Sequence, residues 1–262
     1  MVNNTVTRDR WGRPLIIPPE GGKPVPYIRA STVAGSLDDG QGLMAWKMRM
    51  ACIGLSQRPD LLLAVAAAKE NVKEINVLVE EAMEASGANN ARRIGSAIHL
   101  LTETHDKGQD IGFIPPEYVA DIQAYARATA EFKNLHIEQF VINDKHRIGG
   151  TPDRVVRFKN NCYIGDLKTG SLRDAEFSIQ LAIYANSQPF NFGTGERFDW
   201  EEPINKKLGI IIHLPAGQGV CNLHFVDLQH GMKGVELAMN VRKWNQKKGI
   251  LSPFNQEAGM NE

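Results

Sequence analysis

Gly149-Gly150-Thr151-Pro152-Asp153-Arg154 and Gly165-Asp166-Leu167-Lys168-Thr169-Gly170 are the two stretches on which the fold turns. An apolar-rich run, Val155-Val156-Arg157-Phe158, begins just after Asp153, and a second run leads from position 161 into Asp166. Both are short and rich in β-branched and aromatic residues, as strands are. Asp166 and Lys168 are separated by one residue, so on a strand their side chains project from the same face. If the two runs pair as a hairpin, the carboxylates of Asp153 and Asp166 converge on a single hard cation such as Mg²⁺, which takes oxygen ligands. Lys168 then stands beside the water or phosphate held there.

That combination suits hydrolysis of a phosphodiester. The attacking water must lose a proton near neutral pH while charge builds on the phosphoryl and leaving oxygens, and a divalent metal serves both needs. A lysine adds fixed positive charge where the transition state needs it. Asp-x-Lys taken alone reads equally as an exposed ion pair on a hairpin, which contributes little.

Two helical patterns flank the pair. In Arg92-Arg93-Ile94-Gly95-Ser96-Ala97-Ile98-His99-Leu100-Leu101, apolar Ile94, Ala97, Ile98 and Leu101 recur at helical spacing, with Gly95 and His99 one turn apart on a neighbouring face. A small residue at 95 lets this helix approach the sheet closely, so that His99 reaches the metal. Downstream, positions 174–184 form a second pattern in which Gln180 and Tyr184 share a face.

The order Gly-x-x-x-His (Gly95, His99), Gly-x-x-Asp-Arg (Gly150, Asp153, Arg154), Gly-Asp-x-Lys-Thr-Gly (Asp166, Lys168) and Gln-x-x-x-Tyr (Gln180, Tyr184) resembles the RecB-like exonuclease branch of the PD-(D/E)XK nuclease superfamily. That branch includes CRISPR-associated and phage recombination exonucleases. The resemblance covers roughly residues 90 to 190. It implies an α/β fold: a restriction-endonuclease-like core with a mixed central sheet flanked by helices, plus an N-terminal helical addition. It also implies that His99, Asp153, Asp166 and the Leu167 carbonyl bind Mg²⁺ or Mn²⁺, with Lys168 as the catalytic lysine. Gln180 and Tyr184 would orient the site and contact DNA, alongside Arg92, Arg93, Arg154 and Thr169. Glu138 sits where many relatives place an acid on the first core strand. It would bind a second metal or stand just outside the ligands, and it reads equally as the polar position of a half-exposed strand.

The resemblance further implies a DNA exonuclease acting on linear DNA with free ends, in phage or mobile-element recombination or repair, with a recombinase or annealing protein as partner. Two other readings stay open. One is a catalytically silent DNA-binding or assembly subunit of the same fold, and the other is a structure-specific endonuclease. Some RecB-like nucleases hold an iron-sulfur cluster on four cysteines. This chain has only Cys52, Cys162 and Cys221, widely scattered, so no cluster, zinc ribbon or disulfide framework is expected.

The remaining composition restricts the setting. Over 262 residues the 30 Lys and Arg balance the 30 Asp and Glu, so bulk charge does not advertise a polyanion partner and any phosphate contact must come from local clusters. Candidates are Arg92-Arg93, Lys145-His146-Arg147 in a hairpin turn, and Arg242-Lys243 with Lys247-Lys248. No apolar run reaches membrane-spanning length and no signal pattern opens the chain, which implies a soluble, cytoplasmic protein. No phosphate-binding loop ending in Gly-Lys-Ser/Thr is present, so unwinding would fall to another chain.

Along the chain we expect an N-terminal arm and helical addition over 1–88, a nuclease core over 89–250 and a loose tail over 251–262. Within the arm, residues 1–30 read as irregular, tethered by Trp11 and Tyr27, followed by helices over 43–55 and 58–86. The core is expected to hold a helix over 116–134 with Glu117 and Asp121 favoured by the dipole at its start. Strands near 136–143, 147–158 and 161–168 follow, then a helix over 174–188, strands near 207–214 and 219–227, and a helix from 231 to 248. The segment 190–203 reads as a loop on the active-site side, either a DNA-contacting flap or an ordinary loop.

Overall fold

The computed structural model describes residues 6–251. The chain opens with short strands β1 (Leu15–Ile16), β2 (Val25–Pro26) and β3 (Ile28–Arg29), then helices α1 (Ala30–Ala34), α2 (Gln41–Gln57), α3 (Pro59–Ala68), α4 (Val72–Ala85), α5 (Asn90–Asp106) and α6 (Pro116–Ala128). Strands β4 (Lys133–Ile137), β5 (Val141–Asn143), β6 (Ile148–Gly150), β7 (Arg154–Phe158) and β8 (Asn161–Lys168) lead to α7 (Asp174–Ala185). Finally come β9 (Gln188–Pro189), β10 (Leu208–His213), β11 (Asn222–Asp227) and α8 (Leu228–Gln246). This is a mixed α/β architecture.

The central sheet has the order β11-β10-β8-β7-β4. Strands β7 and β8 form the expected antiparallel hairpin, with Arg154 opposite Gly165, while β8 and β10 run parallel. That mixture puts the C-terminal ends of β8 and β10 and the N-terminal end of β7 at one edge, where the acidic residues lie. One face is packed by α7 and α8 through Ile164, Ile211, Leu181 and Val235; the other, through Val156, Tyr163 and Ile212, meets Ile98 of α5 and Tyr125 of α6. A second sheet, β3-β6-β5-β9, sits beside this core.

Several expected elements divide where backbone chemistry forbids continuity. The strand expected over 136–143 breaks at Glu138, whose φ of 54° lies in the left-handed region that extended chain cannot use. The strand expected over 147–158 breaks at Thr151-Pro152-Asp153, where Pro152 has no N–H to give to a ladder. Consequently β4 and β7 belong to the central sheet, and β5 and β6 to the second. The helix expected over 58–86 is two helices, α3 and α4, parted at Lys69 (φ 50°), with Asn71 Oδ1 capping α4 at the Glu74 N–H. Helix α6 stops at Ala128 instead of 134, because Lys133, Asn134, His136 and Ile137 pair with β7. Helix α8 begins earlier than expected, at Leu228, where Asp227 accepts from the Gln229 and His230 N–H groups.

The N-terminal residues are less irregular than expected, since β3 pairs in parallel with β6. Tyr27 is fully buried and donates to Asp144 Oδ1 at 2.5 Å, so it tethers the segment. Trp11 does not: it is exposed, stacked between Arg10 and Arg13. The segment 190–203 packs Phe190 and Phe192 on Phe140 and pairs Glu202 with Arg157. Cys162 is buried and Cys52 is exposed. Among the described residues no helix is long and apolar enough to cross a membrane. The expected tail over 251–262 lies, apart from its first residue, outside the described residues.

Candidate active site and metal centre

Asp166 is carried on the most buried strand of the sheet, β8, and is itself 2% exposed. Asp153 reaches it from the turn just ahead of β7: its Oδ2 accepts the Leu167 N–H at 2.7 Å, which ties the carboxylate to the residue between Asp166 and Lys168. Lys168 Nζ lies 2.5 Å from Asp166 Oδ2 and donates to Gln180 Oε1 at 3.2 Å. Gln180 Nε2 in turn donates to Tyr184 Oη at 3.0 Å and approaches Asp166 Oδ1 at 3.5 Å. One turn of α7 therefore holds both ends of the Asp-x-Lys pair, as the shared face of Gln180 and Tyr184 predicts.

Two glycines make the approach possible. A Cβ at Gly95 would lie 2.9 Å from Thr169 Oγ1, so the glycine lets α5 come close to the end of β8 without displacing the Thr169 hydroxyl. A Cβ at Gly150 would lie 2.7 Å from the Tyr184 ring. With α5 seated, His99 Nδ1 stands 3.5 Å from Asp153 Oδ2. Glu138, at its left-handed backbone position, gives its N–H to the Asp153 carbonyl at 3.1 Å and turns its side chain into the groove shared by Arg92, Gly95, His99, Asp153 and Thr169. Glu103, one turn beyond His99 on α5, lines the same groove. Its i, i+4 relation to His99 is the signal that marks it, and motif reading alone passes it by.

The electrostatics are those of a site short of positive charge. Burial, reinforced by the Asp153 charge and opposed by Lys168, pushes the Asp166 carboxyl up to about 7. Burial also raises Asp153 above the ordinary Asp value. Glu138 is pushed up to about 7 by burial, with Asp153 and Glu103 adding repulsion. Burial lowers His99, favouring the neutral imidazole that binds metal. Asp166 Oδ2 is fully buried, and its ion pair with the Lys168 ammonium is not a hydrogen bond of proper geometry.

This donor set fits a hard divalent cation: the buried Asp166 carboxylate, the partly exposed Asp153 carboxylate beside it, a neutral imidazole and a carboxylate oxygen without a hydrogen bond. It is not a finished cage. Among the described residues, no three or more His, Cys, Asp and Glu side chains are grouped closely enough to hold a metal ion.

Residues 65–187 match the family model of the PD-(D/E)XK nuclease superfamily. The match runs from α3 to the end of α7 and contains every residue just described, Glu103 and Glu138 included. No curated protein matches the chain.

Three of the residues expected to contact DNA are engaged within the chain, two of them buried. Arg154 is 3% exposed, with its guanidinium bonded to Asp106 and to the Asp153 carbonyl, so it faces inward instead of toward a strand of DNA. Tyr184, 4% exposed, has its hydroxyl taken by Gln180. Arg93 is turned to Glu84 of the helical arm, whereas Arg92 and Thr169 do line the groove.

Proposed function

We propose that the chain is a Mg²⁺- or Mn²⁺-dependent deoxyribonuclease that degrades DNA from free ends, an exonuclease of the RecB-like kind. The observation that carries the reading is the buried Asp166 with its unsatisfied Oδ2, held between Asp153 and Lys168. A bound divalent cation would lower the pKa of a water and offset charge on the phosphoryl oxygens. Asp153 and Asp166 would hold that cation, with His99 and the Leu167 carbonyl completing its protein ligands and Glu138 at the groove's edge.

The chain's own groups supply the rest. Gln180 fixes the Lys168 ammonium by accepting from it, so the positive charge faces the phosphate without reorganising. Tyr184 holds Gln180 from behind, and the packed rings and helices around Asp166 keep bulk water out. Arg92 and Thr169 in the groove suit contacts to the phosphate backbone.

Support for end-directed cleavage comes from the helical arm. The chain leaves the core beside α7, where Asp38 faces Arg173, and rejoins it at α5, where Glu84 meets Arg93. Asp166 lies between His99 of α5 and Gln180 of α7, so the arm is rooted on both flanks of the site. A strand entering between those flanks passes more readily as a free end than as a closed circle. A role in phage or mobile-element recombination, beside a recombinase or annealing protein, belongs to the same proposal and rests on the motif order.

The test is degradation of end-labelled linear DNA against covalently closed circular DNA, with Mg²⁺, Mn²⁺ or EDTA, beside an Asp166→Ala control. Metal-dependent loss of the linear substrate alone is expected, absent in the control. Loss of both would make the enzyme an endonuclease, and binding without any loss would make it a silent DNA-binding subunit.

A further inference from the structure

Behind Asp153 lies a second set of charged groups that the chemistry above does not use. Arg154 and Asp106 form an ion pair with both side chains 3% exposed, through Nε and Oδ2. Tyr125, 2% exposed, donates its hydroxyl to the same Asp106 oxygen at 2.5 Å. The other Asp106 oxygen meets His105 Nδ1 at 3.2 Å. Arg154 then turns its Nη1 to the Asp153 carbonyl and donates at 2.7 Å. The chain of contacts thus runs from α6 (Tyr125) through α5 (Asp106) to β7 (Arg154) and ends on the backbone of Asp153.

We propose that Asp106 is a positioning residue for the Asp153 carboxylate, acting through Arg154, with Tyr125 fixing Asp106 from behind. The inference rests on the reading of Asp153 and Asp166 as the metal-holding pair. Its physical basis is the break in the strand at Thr151-Pro152-Asp153. Asp153 itself is not paired in the ladder, which begins at Arg154. Its carbonyl is held by two donors instead, Arg154 Nη1 and the Glu138 N–H, while its Oδ2 is held by the Leu167 N–H. Of those, only the arginine reaches outside the sheet. A guanidinium suits the task because its planar fork presents Nε and Nη1 in fixed relation, so placing Nε on Asp106 also aims Nη1 at the carbonyl.

Helix α5 carries His99 and, two turns later, Asp106. One rigid element therefore delivers both the imidazole that faces Asp153 and the carboxylate that, through Arg154, sets the orientation of Asp153. The Tyr125 hydroxyl, its ionisation pushed well above the ordinary Tyr range by burial and by Asp106, stays a donor across the working pH range.

The test is Mn²⁺ binding, read by electron paramagnetic resonance on the whole protein without DNA, beside thermal melting. Asp106→Asn removes the charge but keeps the shape, and is expected to weaken Mn²⁺ affinity by about tenfold or more, the usual effect of losing a group that orients a ligand. Arg154→Lys should not restore it, since an ammonium cannot serve both contacts. Asp121→Asn is the control: Asp121 is equally buried but binds the Gly217 and Gly219 N–H groups, so this variant should lose melting temperature while keeping Mn²⁺ affinity. A folded Asp106→Asn with affinity within twofold of wild type overturns the proposal. Should Asp106→Asn not fold, Tyr125→Phe carries the test, and unchanged Mn²⁺ affinity in it overturns the proposal equally. Wild type whose Mn²⁺ binding is indifferent to Asp166→Ala overturns the metal-site reading itself, and this inference with it.

Discussion

The Lys168 ammonium lies 2.5 Å from Asp166 Oδ2, yet burial and the neighbouring Asp153 still push the Asp166 carboxyl up to about 7. The lysine therefore does not fully repay the cost of burying the charge. Because the folded state binds this proton more tightly than the unfolded chain does, the stability it contributes is complete at low pH and is lost as pH rises from 3.8 toward 7. Asp166→Asn removes that loss. In EDTA the variant should melt above wild type at pH 8 and gain less at pH 4, while cleavage falls to background and DNA binding persists. A variant that melts lower at pH 8 would contradict this balance of terms.

Gly150 and Tyr184 are in contact because position 150 has no Cβ. Gly150→Ala drives a methyl to within 2.7 Å of the Tyr184 ring, which is itself buried and cannot swing away. Overpacking of this kind costs ~1–3 kcal/mol. The displaced ring would also release Gln180, and through it Lys168, so activity should fall further than stability does. Single-turnover cleavage of Gly150→Ala, measured well below its melting temperature, should be reduced at least tenfold; a rate equal to wild type would uncouple the ring from the site.

How much of this was legible in the sequence depends on the range of the interaction. Asp166 with Lys168, His99 with Gly95, and Gln180 with Tyr184 are set by local periods of two and four, and their faces came out as the spacing predicts. Asp106 and Tyr125 were not legible. Asp106 meets Arg154 from 48 residues away and Tyr125 from 19, and neither carries a local pattern. Arg154 shows the same limit from the other side: next to a metal-facing Asp it reads as a phosphate contact, and only the tertiary placement of α5 turns it inward. Asp121 looked like an acid favoured by the helix dipole, but its two oxygens accept the Gly217 and Gly219 N–H groups at 2.6 Å. The division of 136–158 between two sheets likewise turned on Glu138 and Pro152, where backbone torsion and a missing donor overrode apolar patterning.

Asp144 joins three separate segments: Tyr27 donates to it at 2.5 Å from the N-terminal strands, and Arg197 donates to both its oxygens at 3.0 Å from the loop after β9. Burial would raise its carboxyl, but the hydrogen bonds from Arg197 and Tyr27 outweigh burial and hold it below 3.8. For a carboxyl lowered in this way, the stabilisation is present above the unfolded value and is lost as pH falls through the folded one. Asp144→Asn should therefore lower the melting temperature at pH 7, and the gap from wild type should close below pH 3.8. A gap that stays constant from pH 7 to pH 3 would show that the pair contributes through packing instead of charge.

Arg92 and Arg93 are adjacent in sequence and face different partners. Arg92 lines the groove beside His99 and Thr169 and forms no ion pair among the described residues, whereas Arg93 is engaged by Glu84. A phosphate contact releases counterions, so each one lost removes about one from the slope of log affinity against log salt. Arg92→Ala should flatten the slope for DNA binding by about one and weaken binding to all sequences alike. Arg93→Ala should leave the slope unchanged and lower the melting temperature slightly, as an exposed ion pair contributes little. Both can be read by fluorescence anisotropy in EDTA across a salt series with the Asp166→Asn protein, where no cleavage intrudes. Equal slopes for the Arg92 variant and its parent would remove this groove as the path of the phosphate backbone, and the DNA track would then have to be sought along the helical arm.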